Sequence, residues 1–189
     1  REAYEGRKMD YKVSLADFWT LSKGTLIDPK EEIIYETAAP ENKYKAEIQA
    51  KQPTIITGTV GVDAHVIGTK IISRELSEEG FKVVGLGAQT SPEEFIKAAQ
   101  ETDAAAMLIS SMYGMGDQDL QGFRDKCVEA GIGDIILYIG GILGVGKRDF
   151  EEDEKIFKNI GFDRVYPPNT DIKVAIADLG EDFKAKGII

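Results

Sequence analysis

A doubly wound α/β fold is predicted by two features of the chain. Five short apolar runs are bounded by Gly or Pro, and a helical pattern fills each interval between them. The runs are "TIITGTV", "FKVVGLG", "AAAMLIS", "DIILYIG" and "FDRVYP", at about 54–60, 81–87, 104–110, 134–140 and 162–167. Continuous apolar runs, as opposed to alternating ones, fit strands buried on both faces. Strands separated by helices imply right-handed crossovers, and hence a flavodoxin-like sheet of five parallel strands with helices on both faces.

The helical patterns lie near 68–79, 92–101, 119–130 and 150–160, and a last one near 171–186. The first stops at "EEGF", where Gly80 is placed as a C-terminal glycine. The second starts at "TSPEEFIKAAQ": Ser91 can cap, Pro92 suits the first turn, and Glu93 and Glu94 favour the positive end of the helix. The third stops at "EAGI", with Gly131 in the same role as Gly80. Residues 1–53 do not share this rhythm and are expected to form an N-terminal arm or linker before a domain at 54–189. "YKVSLADFWTLSKG" can form one short amphipathic helix anchored by Leu15, Phe18, Trp19 and Leu21. The segment from Pro29 to Pro53 shows little periodicity; it is expected either to pack on the domain or to dock on another polypeptide.

With 189 residues, 42% apolar and 30% charged, the chain is globular and large enough for one domain and an extra segment. No apolar run approaches the ~20 residues needed to cross a bilayer, and the opening "REAYEGRKMD" is not a secretory signal. The chain begins at Arg1 without a Met, which fits a processed product or a fragment. A formal charge of −10 with no basic block argues against nucleic acid and against anionic membranes as partners. A single Cys127, in the helical pattern "FRDKCVEAG", excludes an internal disulfide and a cysteine-built metal site. It reads as a small buried apolar residue, and a reducing, cytoplasmic setting is expected.

In a doubly wound sheet, ligands bind beyond the carboxyl ends of the strands. The first such loop is "GVDAHVIG", and His65 in it is the only histidine of the chain. If the loop is extended, Asp63 can accept the proton of one imidazole nitrogen and leave the other as a lone-pair donor, the usual arrangement behind a metal-bound histidine. One histidine cannot hold a bare zinc ion, which takes about four ligands. A metal carrying its own ring of ligands needs one axial donor, which selects a haem or a corrin. Gly68 leaves space for a bulky group at the helix entrance.

The third loop, "LISSMYGMGDQD", offers Ser110, Ser111 and Gly114 to the polar edge of a heterocycle. The fourth, "YIGGILGVGK", has the Gly140–Gly141 pair, which lets backbone approach a large flat ligand. The fifth, "YPPNT", is a rigid turn presenting Asn169 and Thr170. "GILGVGKR" nearly spells a phosphate-binding P-loop, but the magnesium-holding Ser or Thr is replaced by Arg148. Lys147 and Arg148 are therefore expected to be a solvated helix entrance.

These residues carry a resemblance. "DAHVIG" has the D-x-H-x-x-G pattern of base-off, His-on cobalamin-binding domains, and "SSM" and "GG" fall at the two further positions of that signature. "GFKVVGLGAQTSPEEFIKAAQET", "SSMYGMGDQDLQGFRDKCVEAG", "LYIGG" and "GFDRVYPPNTDIKVAIADL" resemble the small, cobalamin-binding component of glutamate mutase, or methylaspartate mutase. The similarity covers about Thr54 to Phe183 and leaves out the first 53 residues.

The resemblance implies an isomerase component that binds adenosylcobalamin, with cobalt held axially by His65 and the second imidazole nitrogen held by Asp63. The cofactor's dimethylbenzimidazole tail would enter a slot between the sheet and a helix. Val62, Ala64 and Val66 would line the loop beneath the corrin, with Gly68 at the helix entrance. Ser110, Ser111 and Met112 would lie along the buried tail. Gly140, Gly141, Ile142, Leu143, Gly144, Val145 and Gly146 would surround the nucleotide loop, and Thr170 would close the pocket. The family usually has Leu at the Met112 position, and commonly Asn at that of Ile142, so one polar contact to the tail is in doubt.

The implied chemistry is homolysis of the cobalt–carbon bond, hydrogen abstraction from substrate and a carbon-skeleton rearrangement of L-glutamate to threo-3-methylaspartate. No other catalytic residue is expected here: a separate large barrel subunit would bind the amino acid substrate, the two chains forming a heterotetramer active only when complete. Two alternatives share D-x-H-x-x-G. One is a corrinoid methyl carrier, although those carriers usually add a helical bundle before the motif. The other is a cobalamin sensor or the cobalamin domain of a related aminomutase.

Overall fold

The computed structural model of the chain describes residues 40–144 and 148–189. The expected helix within residues 11–24, along with Val145, Gly146 and Lys147, lies outside the described residues. Among those described, five parallel strands alternate with helices. In chain order they are α1 (Lys45–Lys51), β1 (Thr54–Thr59), α2 (Val66–Glu79), β2 (Lys82–Gly85), α3 (Pro92–Thr102), β3 (Ala106–Ser111), α4 (Gly116–Asp119), α5 (Phe123–Glu129), β4 (Ile136–Gly141), α6 (Phe150–Ile160), β5 (Arg164–Tyr166) and α7 (Ile172–Ala185). The strand order is β2-β1-β3-β4-β5. It reverses direction between β1 and β3, so the loops after those two strands flank the switch point where such sheets bind ligands.

All six residues of β1 and all six of β3 are buried, as expected of central parallel strands. One sheet face puts Ile56, Met107, Ile109, Leu137 and Ile139 against Phe95 of α3, Phe123 and Cys127 of α5 and Phe157 of α6. The other puts Ile55, Ala106, Leu108, Ile136 and Tyr138 against Leu76 of α2 and Ala175, Ile176, Leu179 and Phe183 of α7. Cys127 is fully buried, and that burial pushes its thiol up to about 11. No described helix is long and apolar enough to cross a membrane.

The predicted stops and starts are formed. Gly80 is left-handed at the end of α2. At the start of α3 the Ser91 hydroxyl accepts the Glu94 N–H while the Glu94 carboxylate accepts the Ser91 N–H. The helix expected at 119–130 is instead two pieces, because Gly122 adopts a left-handed conformation (φ 69°) between α4 and α5.

Residues 40–53 take the first of the two alternatives expected for this segment. They pack as part of the domain, and Ile48 of α1 is fully buried in the second core. Tyr44 lies against Gly180, where a Cβ would come within 2.9 Å of its ring. Ion pairs Lys45–Glu79 (2.9 Å), Lys43–Glu181 (2.8 Å) and Lys184–Glu47 (3.0 Å) tie this segment to both α2 and α7. A single anchoring apolar residue on a seven-residue helix leaves no periodic trace, so tertiary docking, not local pattern, makes this element.

Candidate functional site

The loop from β1 to α2 carries Asp63 and His65. It is tied down on several sides: Val60 N–H donates to the Ser110 carbonyl at 3.0 Å, Gly61 N–H to that of Thr90 at 3.0 Å, and Gln89 N–H to that of Asp63 at 3.0 Å. Thr59 adds its hydroxyl to the His65 carbonyl at 3.2 Å. His65 is thereby placed at the N-terminal cap of α2.

Asp63 is buried and fully partnered. Its Oδ1 accepts both the His65 backbone N–H (2.9 Å) and the imidazole Nδ1 (2.6 Å), and its Oδ2 accepts the Met112 N–H at 2.5 Å. A carboxylate acceptor assigns the proton to Nδ1, so Nε2 keeps its lone pair. The His65 side chain is 67% exposed while that of Asp63 is fully buried. The result is an oriented, solvent-facing single donor. Among the described residues no group of three or more His, Cys, Asp or Glu could hold a bare ion.

Beside this donor a cleft of about 320 Å³ opens between the second sheet face and the helices α2 and α7. From the residues named by sequence it gathers Gly68, Ser110, Met112, Gly140, Gly141, Ile142 and Thr170. Its other walls include Ile72, Leu108, Tyr138, Tyr166, Ile172 and Ala175. Among the described residues neither Arg nor Lys lines it. Two of the polar groups at its mouth are already engaged: Thr170 Oγ1 donates to the Pro167 carbonyl (2.8 Å), and the Asp171 carboxylate caps α7 by accepting the Lys173 N–H (2.9 Å).

The predicted residues divide by side. Ser111 is fully buried, does not line the cleft and points instead toward Gly116 on the opposite face, where its hydroxyl has no partner among the described residues. Alternation along β3 explains the split, since adjacent strand residues face opposite ways. Leu143 is packed in the first core, and Gly144 faces Arg148 and Asp153. Val62 and Ala64 are exposed and Val66 half-buried. Val62, Ile67, Ile71 and Ile142 are large apolar side chains left exposed.

One of the two glycine expectations gains a second cause. Gly141 has φ +122°, and a Cβ there would collide with the Ser111 carbonyl and lie 3.0 Å from the Met112 sulfur. Its absent side chain is therefore required by the chain's own β3–β4 packing, besides any ligand. Gly68 has open space where its Cβ would point. Arg148 is not solvated: it pairs with Asp117 at 3.0 Å and Asp153 at 2.5 Å, and its side chain is only 19% exposed. Arg148 is thus clamped to α4 and α6.

The tyrosines on the cleft wall have no sequence signal of their own. Their rings meet edge to face at 5.5 Å. Tyr138 donates to Asp182 at 2.5 Å and Tyr166 to Asp178 at 2.8 Å. Arg164 binds Asp182 bidentately (2.9 and 3.0 Å) and reaches Asp178 at 3.0 Å. Burial, and next the aspartate bonds, push both phenols far up, so the rings stay neutral and turn their apolar bodies to the cleft. The cleft therefore suits a flat, largely apolar heterocycle with one hydroxyl, Ser110, on its wall. A corrin ligated by His65, with a heteroaromatic tail buried beside it, fits this donor and this cleft.

Comparison with known proteins points the same way. The B12 binding domain family matches residues 53–177. The glutamate mutase sigma subunit of Carboxydothermus hydrogenoformans is 52% identical over 133 residues, 70% of this chain and 97% of that protein. The sigma subunit of Clostridium cochlearium is 48% identical over 133 residues, again 70% and 97%. Among solved structures, a cobalamin-binding protein of Desulfitobacterium hafniense superposes with a TM-score of 0.57 at 19% identity, covering 72% of this chain and 66% of its own. The monomethylamine corrinoid protein of Methanosarcina barkeri superposes with a TM-score of 0.55 at 19% identity, covering 74% and 63%. At such identities the structural likeness speaks for the fold.

Proposed function

This chain belongs to the B12-binding domain family, among the glutamate mutase sigma subunits, and from that premise we propose that it serves as the cobalamin-binding component of glutamate mutase. The observation that carries the reading is the Asp63–His65 pair at 2.6 Å beside an apolar cleft at the sheet's switch point. Asp63 holds the Nδ1 proton, so His65 would hold the cobalt through Nε2. Gly68, Ile72, Ser110, Tyr138 and Tyr166 receive the nucleotide tail.

Adenosylcobalamin, when bound, supplies a homolytically labile cobalt–carbon bond, chemistry that no side chain offers. The chain's own part is to bind, orient and exclude water. Among the described residues no Arg or Lys lines the cleft, which supports a division of labour in which a large barrel subunit holds the carboxylates of L-glutamate. The exposed Val62, Ile67, Ile71 and Ile142 support a covered surface at this end of the sheet, under the corrin and against that subunit. We place the chain in a heterotetramer active only when both subunits are present.

The test is an assay with a large subunit, adenosylcobalamin and L-glutamate. Methylaspartate formation is expected, and it should vanish when either chain is left out. Methyl transfer from a methyl donor with no adenosyl cofactor would establish a carrier instead. For ligation, the cobalt(II) form should show nitrogen coupling by electron paramagnetic resonance, lost in His65→Ala; coupling that persists there would come from the cofactor's own base.

A further inference from the structure

Directly beneath the His65 loop lies a pair that no part of this reading uses. The Tyr113 hydroxyl donates to Asp119 Oδ2 of α4. Both groups crowd the point where Gly61 would carry a side chain; a Cβ there would collide with the Asp119 carboxylate and the Tyr113 hydroxyl. Gly61 itself has φ +72°, a conformation that favours glycine. The loop thus rests on this pair with nothing in between.

The segment that carries Tyr113 also holds the loop from the side. Met112 N–H donates to Asp63 Oδ2 at 2.5 Å, and Gly114 N–H donates to the Ile142 carbonyl at 3.1 Å. Asp119 sits on a four-residue helix that is fixed in turn by Asp117 to Arg148. Burial, then Asp119, pushes the Tyr113 phenol up to about 12, so its proton is always available to Asp119.

We propose that Tyr113 and Asp119 are positioning residues for the metal ligand: joined by their hydrogen bond, they pack directly against Gly61, and this support sets the height and tilt of the Gly61–His65 loop against cobalt. The inference rests on the proposed ligation of cobalt by His65. The pair touches neither corrin nor substrate; it acts through the loop backbone.

The test uses the full chain with its large subunit and cobalt(II) cobalamin, read by nitrogen coupling in electron paramagnetic resonance and by cobalamin affinity. Tyr113→Phe keeps the ring and removes the hydroxyl. It should weaken the axial nitrogen coupling and lower affinity about tenfold, the scale of losing one hydrogen bond. Asp119→Ala should do the same. Asp119→Asn, which keeps an acceptor oxygen, should stay nearer the parent chain. Because both groups act through one contact, the Tyr113→Phe/Asp119→Ala double variant should be no worse than either single one. Parental coupling and affinity in both single variants, losses that multiply in the double, or an Asn variant as impaired as Ala would each overturn the proposal. Absence of coupling in the unaltered chain would instead remove the ligation reading itself, which keeps the two failures apart.

Discussion

Asp63 Oδ1 accepts two hydrogens from His65 at once, one from the backbone N–H at 2.9 Å and one from the ring Nδ1 at 2.6 Å. Both the position and the tautomer of the imidazole are therefore set by one oxygen, while Oδ2 is committed to Met112 N–H. Asp63→Asn cannot meet the same demands. Its single carbonyl oxygen can serve either Met112 or His65, and the amide N–H₂ placed on the other side opposes a donor. The ring is then driven toward the tautomer with its proton on Nε2. Cobalamin affinity should fall roughly 10- to 100-fold, the usual scale for losing the partner of a metal-bound histidine. Spectrophotometric titration of the full chain with its large subunit measures this, and unchanged affinity would make Asp63 a bystander.

At Gly68 the proposed binding of the tail can be tested apart from the stability of the fold. A Cβ at this position meets nothing within 4 Å, yet the residue lines the cleft. Gly68→Leu should therefore fold at least as stably as the parent, since a helical glycine costs up to ~1 kcal/mol. The new side chain would project where the tail must enter. Affinity for complete cobalamin should drop by tenfold or more while affinity for cobinamide, which has no nucleotide tail, stays near the parental value. Equal losses for both corrinoids would place the tail elsewhere.

The strands, the glycine stops and the Ser91–Glu94 capping box were legible because each is written within a few neighbouring residues. So was the Asp63–His65 pair, whose two members are two positions apart. The tyrosine wall was not: Tyr138 and Tyr166 lie on strands brought side by side by the sheet, and their anchors Asp178 and Asp182 arrive on α7. Nothing local announces such a meeting. Ser110 and Ser111 looked equivalent as a dipeptide, yet the strand sends one to the cleft and the other to the opposite face. Arg148 read as solvated because its partners, Asp117 and Asp153, come from two other elements. Ile48 was passed over because its helix has one anchor and no repeat.

That anchor should matter to the whole domain. Ile48 is fully buried among residues of β1, α2 and α7, although it precedes the family match that begins at residue 53. Ile48→Ala should destabilise the protein by about 2–5 kcal/mol, the range for truncating a buried aliphatic side chain. Urea unfolding followed by circular dichroism would show a lower midpoint with little change in slope. A midpoint shift corresponding to less than about 0.5 kcal/mol, ordinary for a surface change, would mean that residues 40–53 are peripheral.

Asp182 gives the fold an acid limit whose sign is fixed. Burial alone would raise its carboxyl; hydrogen bonds from Arg164 first and Tyr138 next outweigh that and leave it below the ordinary carboxylate value. A carboxyl that is lower in the folded state stabilises the protein above its unfolded value of about 3.9, and that contribution is lost as pH falls through the folded value. Asp182→Asn removes the charge partner of Arg164 and leaves that guanidinium with Asp178 alone. The variant should melt below the parent at pH 7, and the gap should narrow as the solution is acidified below about pH 4. Melting temperatures taken from pH 7 to pH 3 decide it. A gap that stays constant with pH would mean that the Asp182 carboxylate contributes through packing, with its charge immaterial.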